Sequence, residues 1–443
     1  MNYFHAGFIM RRRHNITLAT LVCLGTIYLV AQHRHNIQDA YGTYASYDNI
    51  PSENGIEVLP SDLKPNSQAG DGVGVSANDL SNQASPNNLN SPIGDAPLPA
   101  TGKPAERLEQ GPFNSELNLP ADGEKEFPFQ QDLELDLPTA ILHPFKAYKP
   151  HNYKTEPSPK YAYATFLATR NPSLKDPYFL AIHSLIYRLL WSHKSGTHRY
   201  PFIVFVADFV TSEQRALLSG AGALVRELAP LEWSPSVPGV QKRWKDLFAK
   251  LNMWQETEFE RILFLDADAF PLANLDQMFE IAPVRGCVPE KLHLDDFLTD
   301  GPVCEAYIFA GVPQDPFKPV PSNINVGSMV FTPSLRMHAR LLQNYVKTDK
   351  YDSLMAEQAF LNWQFSSEGA FPGTPLERTW GGFFPTEEER DGRLKVVHEK
   401  IWVAEGGWLK EEWESGWRDM MAFYASENFR AARELDGVGN GAI

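Results

Sequence analysis

Asp266-Ala267-Asp268 follows directly on four apolar residues, Ile262-Leu263-Phe264-Leu265. Two carboxylates at i and i+2, where a strand breaks into a turn, can converge on one hard cation, and the small Ala267 between them lets a ligand approach. Mg²⁺ or Mn²⁺ prefers carboxylate oxygens together with phosphate oxygens and water. A cation held in this way bridges a diphosphate and neutralises its charge as it departs. An Asp-x-Asp by itself is weak evidence, because acidic pairs are common in solvated turns. The buried run before this one adds weight, since an ordinary turn does not need two carboxylates at a strand mouth.

The surrounding elements place the pair. Ala162 to Thr169 reads as a strand, and the next helix carries Ile182, Leu185, Ile186, Leu189 and Leu190 on one face. Pro201 to Ala207 is a second buried strand, and Thr211 with Gln214 forms a capping box for the helix after it. Trp244, Leu247, Phe248, Leu251 and Trp254 stripe a further helix that leads into the strand Arg261 to Leu265. Strands alternating with helices predict an α/β domain with a mostly parallel central sheet flanked by helices. Ligands of such sheets bind outside the carboxyl ends of the strands, where Asp266 and Asp268 lie.

From about Tyr161 to Trp402 the chain resembles the glycogenin-like, retaining glycosyltransferase family 8. Lys250-Leu251-Asn252-Met253-Trp254 is similar to the family's Lys-Leu-x-x-Trp, and FLDADAFPLANLDQMFE to its Asp-x-Asp region. Asn325-Val326-Gly327 matches the Asn-x-Gly strand, and Glu357-Gln358-Ala359-Phe360-Leu361-Asn362 resembles Asp-Gln-x-x-Leu-Asn. Val396-Val397-His398 with Lys400-Ile401-Trp402 looks like the metal-binding histidine and the downstream Lys-x-Trp. The resemblance implies a GT-A type nucleotide-binding domain, with Asp266, Asp268 and His398 as ligands of Mn²⁺ or Mg²⁺. It puts Lys250 and Lys400 at the diphosphate or sugar, and Asn325 and Gln358 near the donor sugar. Leu167, Thr169 and Tyr178 fall where the family holds uracil and ribose. There are departures too: Glu357 replaces the usual Asp, His398 and Lys400 stand only two apart, and Asn171 to Pro177 looks like an insertion.

The donor implied is a UDP-sugar. UDP-N-acetylglucosamine comes first, because an anchored head with His-Glu-Lys-Ile-Trp looks like the fungal Golgi N-acetylglucosaminyltransferase branch. UDP-glucose and UDP-galactose follow. The acceptor would be a glycan or glycoprotein. Trp380, Phe383, Phe384 and Trp408 are candidates for a sugar platform or for core packing. Two rivals come from other classes: an Asp-x-Asp phosphohydrolase, whose triplet normally ends the first strand, and a non-catalytic sugar-binding scaffold.

Ile16 to Ala31 is an uncharged, mostly apolar run behind Arg11-Arg12-Arg13. It is about 24 Å long as a helix, slightly short for a bilayer. Arginines on that side predict a single-pass type II protein with its head in the lumen, and the resemblance implies the Golgi membrane. The expected division is a cytosolic tail at 1–15, an anchor at 16–31, a stem at 32–155, the transferase domain at 156–425 and a tail at 426–443. The stem is rich in Ser, Asn, Pro, Gly and Asp and lacks apolar periodicity. A segment near Phe127 to Phe145 is a candidate to pack on the head. With 443 residues and 43% hydrophobic content, the chain is long enough for a substantial core, and a net charge of −15 argues against a nucleic-acid partner. Cys287 and Cys304 are the only thiols outside the apolar run, and pairing and separate thiols are both open. A homodimer is open as well.

Overall fold

The computed structural model describes residues 128–154, 160–233, 235, 242–314 and 323–439. The expected anchor at 16–31 and most of the expected stem lie outside these residues. Among the described residues no helix is long and apolar enough to cross a membrane, which corrects the expectation of a single-pass type II Golgi protein.

Seven strands form the central sheet: β1 (Tyr161–Leu167), β2 (Phe202–Val206), β3 (Leu224–Glu227), β4 (Arg261–Leu265), β8 (Phe309–Pro313), β9 (Ile324–Phe331) and β10 (Thr374–Pro375). A smaller sheet joins β5 (Ala269–Pro271), β11 (Gly382–Phe383) and β12 (Val396–His398), while β6 (Phe297–Leu298) and β7 (Gly301–Pro302) make a short hairpin. The central order is β10-β8-β9-β4-β1-β2-β3. β1 through β4 run parallel, as the alternation with helices predicts. β9 runs antiparallel to β4, and β8 antiparallel to β9, so the sheet is mixed. All five residues of β2 and all eight of β9 are buried; β2 therefore reads as an unbroken apolar run, whereas β9 also carries Asn325 and Ser328 at buried positions.

The helix Pro177–Ile186 begins with proline at its first position, where no intrahelical N–H is lost. Asp176 caps it, accepting from the Phe179 N–H at 2.8 Å. Ile182, Leu185, Ile186 and Leu189 are fully buried, and the helix continues as a π-turn, Tyr187–Trp191. Thr211 and Gln214 form the expected reciprocal capping box. The striped segment before β4 is not one α-helix: Lys242–Leu247 is α-helical and Phe248–Gln255 is 3₁₀. Phe248, Leu251 and Trp254 recur every third residue, and side chains at i and i+3 align in a 3₁₀-helix.

The folded unit extends beyond 156–425 on both sides. Residues 128–154 pack on the head, and Glu427–Asp436 is a helix with Phe429 and Arg433 buried. The two flanks meet: Tyr148 bridges Val438, the Lys149 N–H donates to Gly437 O at 2.9 Å, and the Gly439 N–H donates to Ala147 O at 3.1 Å. Arg433 adds a bond to Lys149 O at 2.9 Å. Cys287 and Cys304 are disulfide-bonded across a Cα separation of 5.2 Å.

Asp176 gives the fold a pH dependence of predictable sign. It is buried and accepts from the Thr169 hydroxyl at 2.8 Å, and burial raises its pKa from 3.8 to about 7. A carboxyl whose folded pKa is raised contributes most when protonated, below its unfolded pKa, and loses that contribution as pH rises through the folded value. Asp176→Asn keeps a side-chain oxygen for the cap and cannot ionise. The melting temperature of the variant relative to wild type is therefore expected to rise between pH 4 and 8; a flat difference in thermal melts would reject the burial argument.

Candidate active site

The strand mouth is built by backbone hydrogen bonds. Asp266 leaves β4 with its N–H donating to Gly327 O on β9 at 2.9 Å, and the Ala269 N–H closes a turn on Asp266 O at 2.9 Å. That turn feeds β5, which pairs antiparallel with β12 so that His398 lies opposite Ala269. The Glu399 N–H then donates to Asp268 O at 3.0 Å. Residues more than a hundred positions apart are thereby joined by one short ladder.

The side chains converge on one place. His398 Nε2 lies 3.3 Å from an Asp268 oxygen and 3.8 Å from an Asp266 oxygen. Lys400 Nζ donates to the other Asp268 oxygen at 2.8 Å. Lys250 Nζ donates to Asp266 at 2.8 Å and to Glu357 at 2.7 Å. Burial works against the Asp268 carboxylate, but His398 and Lys400 outweigh it and hold the group below the usual carboxylate range. Burial likewise opposes the Lys250 ammonium, and Asp266 and Glu357 outweigh it, so its pKa is pushed up. Burial wins at Glu357, whose pKa is raised even with Lys250 beside it.

Asn325 and Gln358 approach from β9 and from the helix Ala356–Gln364. Asn325 Oδ1 accepts from the Gly327 N–H at 2.9 Å, and Gln358 Oε1 accepts from the Val326 N–H at 3.2 Å. A backbone N–H requires an acceptor, so these bonds fix which end of each amide is oxygen and assign the NH₂ group to the other end. Gly327 forms the floor between the ligand side chains. A Cβ there would sit 2.2 Å from His398 Cε1 and 2.5 Å from an Asp266 oxygen.

The residues fit a divalent cation. One atom each from Asp266, Asp268 and His398 lie within 4.8 Å of one another, and two carboxylates with an imidazole make an N/O donor set suited to Mn²⁺ or Mg²⁺. Ala267, between the carboxylates, is buried. The site brings together Asp266, Asp268, His398, Lys250, Lys400 and Glu357, while the side chains of Asn325 and Gln358 bond to the backbone of β9 beside it. Two other expected residues are engaged elsewhere: Leu167 is in the core at the end of β1, and the Thr169 hydroxyl is spent on Asp176. Tyr178 packs edge-on against Trp402 with ring centres 5.4 Å apart, and burial together with the nearby charges of Asp268 and Asp266 raises its pKa, so it borders the site. Of the candidate platform, Trp380 and Trp408 are buried, whereas Phe383 lies 5.3 Å from the His398 ring and Phe384 is exposed beside it. The contributions of Gly327 and Asp176 were not read from the sequence. For Gly327 the available signal was the pairing of β4 with β9, which brings the Asn-x-Gly glycine under the Asp-x-Asp turn.

No family model matches the chain. It is 26% identical over 299 residues to an uncharacterized protein of Schizosaccharomyces pombe, covering 58% of this chain and 78% of that one. It is 29% identical over 216 residues to galactinol synthase 1 of Solanum lycopersicum, covering 46% of this chain and 60% of the synthase. The chain thus spans less than two thirds of that synthase's length. The apo structure of mouse xyloside xylosyltransferase 1 aligns with 54% of this chain at 13% identity and a TM-score of 0.35, too slight a likeness to argue from. Site and sequence relatives together support a UDP-sugar-dependent glycosyltransferase that resembles family 8.

Gly327→Ala tests the floor, because its Cβ would displace His398 or Asp266. Mn²⁺ affinity measured by calorimetry is expected to fall by at least about tenfold, as for other disturbances of ligand placement. Unchanged affinity would show that Gly327 does not shape a metal site.

Proposed function

We propose that this chain transfers a hexosyl unit from a UDP-sugar to a hydroxyl acceptor with retention of configuration, with Asp266, Asp268 and His398 holding Mn²⁺ or Mg²⁺. The observation that carries this reading is the convergence of those three side chains at the mouth of β4, with Lys250 and Lys400 on their outer oxygens. A divalent cation bound there supplies charge neutralisation for a departing diphosphate.

The chain's own groups have separate tasks. Lys250 is fixed between Asp266 and Glu357 and presents a preorganised positive charge at the mouth of the strand. Lys400 is less buried and donates to phosphate oxygens from the opposite side. The NH₂ groups of Asn325 and Gln358 donate to the donor sugar. Glu357 is committed to Lys250 and is almost wholly buried, which argues against its attacking the anomeric carbon. Attack of the acceptor on the face the diphosphate leaves is then the favoured route, with a leaving phosphate oxygen accepting the proton. A covalent sugar adduct trapped on Glu357 would reject that route.

Relatives named galactinol synthase favour a hexosyl donor such as UDP-galactose or UDP-glucose. The narrower resemblance to N-acetylglucosaminyltransferases rests on His398 to Trp402 and keeps UDP-N-acetylglucosamine in the comparison. A glycan, a glycoprotein and a free polyol are the acceptor classes to offer.

The full chain incubated with Mn²⁺, an acceptor panel and each UDP-sugar is expected to release UDP from one donor in clear preference. Chelation should stop the release. Asp268→Asn, which keeps the shape and removes the charge, is expected to reduce it at least about a hundredfold. Full turnover by that variant would overturn the assignment.

A further inference from the structure

Ahead of β1, residues 128–136 form a strap along the loop that precedes the helix Pro177–Ile186. The Leu133 N–H donates to Lys175 O at 2.9 Å. The Asp132 carboxylate accepts from Asn171 Nδ2 at 2.7 Å and from Ser173 Oγ at 2.6 Å. These bonds hold the strap to the very segment that looks inserted beside the expected base-binding strand.

The front end of the strap reaches the candidate site. Phe129 O accepts from Trp402 Nε1 at 3.0 Å, and Lys400 Nζ lies 5.2 Å from the centre of the Phe129 ring. Lys400 therefore stands between an aromatic face and the Asp268 carboxylate. An ammonium over a ring face is attracted by the ring quadrupole, and the ring also restricts where a flexible lysine can go. The contact matters most when Asp268 is engaged by a cation, because the ring then remains as a partner holding Lys400 over the mouth of β4.

We propose that Phe129 is a positioning residue of the donor site, acting through Lys400 and Trp402. This inference rests on the UDP-sugar reading above. It makes residues ahead of β1 part of the donor-binding machinery.

The test is a double-mutant cycle on the full chain with Mn²⁺, combining Phe129→Ala with Lys400→Met. Donor KM and kcat are measured for turnover, and UDP binding is followed by calorimetry. In the Lys400 background Phe129→Ala is expected to raise donor KM and the Kd for UDP by about tenfold, with kcat changed far less and the melting temperature nearly unchanged. Phe129→Trp should restore both constants, while Phe129→Leu, which keeps bulk without the ring face, should not. In the Lys400→Met background the effect of Phe129→Ala should largely vanish. Equal effects in both backgrounds, full rescue by leucine or an unchanged Kd would each overturn the inference. A wild-type chain that binds UDP but transfers no sugar would reject the transferase reading while the cycle in Kd still decides the role of Phe129.

Discussion

Three carboxylates, Asp266, Asp268 and Glu357, are crowded at the end of a buried strand, and the architecture around them is arranged to make that tolerable. Isolated charges in such a place would neutralise or disrupt the fold, since desolvation costs several kcal/mol per ion even after relaxation. Here two lysines and a histidine from distant parts of the chain share the negative charge. The 3₁₀ segment delivers Lys250 and the β5–β12 ladder delivers His398 and Lys400. The sheet order places β9, with Gly327, beside β4 so that the ligand side chains can close over it.

That balance also prepares the site for its proposed substrates. His398 and Lys400 hold Asp268 below the usual carboxylate range despite its burial, so a cation would not have to compete with protons there. The lysines that compensate them in the free protein are the groups that would meet phosphate once a cation takes over the carboxylates. One set of side chains would thus serve both stability and binding.

Much of this was legible from residue order. The apolar run leading into Asp266 and the capping box at Thr211 depend on local spacing, and local spacing is what a sequence displays; the joining of Asp268 with His398 and Lys400 is long-range and was legible only through the family resemblance. The direction of β9 was not legible, because a strand buried on both faces reads the same forwards and backwards. The π-turn after Ile186 and the change of pitch at Phe248 were also missed, although the three-residue recurrence of Phe248, Leu251 and Trp254 was visible. Thr169 shows a different limit. Its place in the order suits a ribose contact, but only the structure reveals a nearby carboxyl, Asp176, that already occupies its hydroxyl.

The closing of the two flanks on each other, with Tyr148 against Val438 and Arg433 capping Lys149, has a consequence for biosynthesis. The partner of the early segment is translated only after the last strand of the fold. The sheet can assemble while the chain is still emerging, but the seam between the two flanks must wait until about residue 439 has cleared the ribosome. Chains cut short after β12 would therefore carry the complete sheet with an open seam, exposing the aromatic surface around Phe145 that Phe429 otherwise covers.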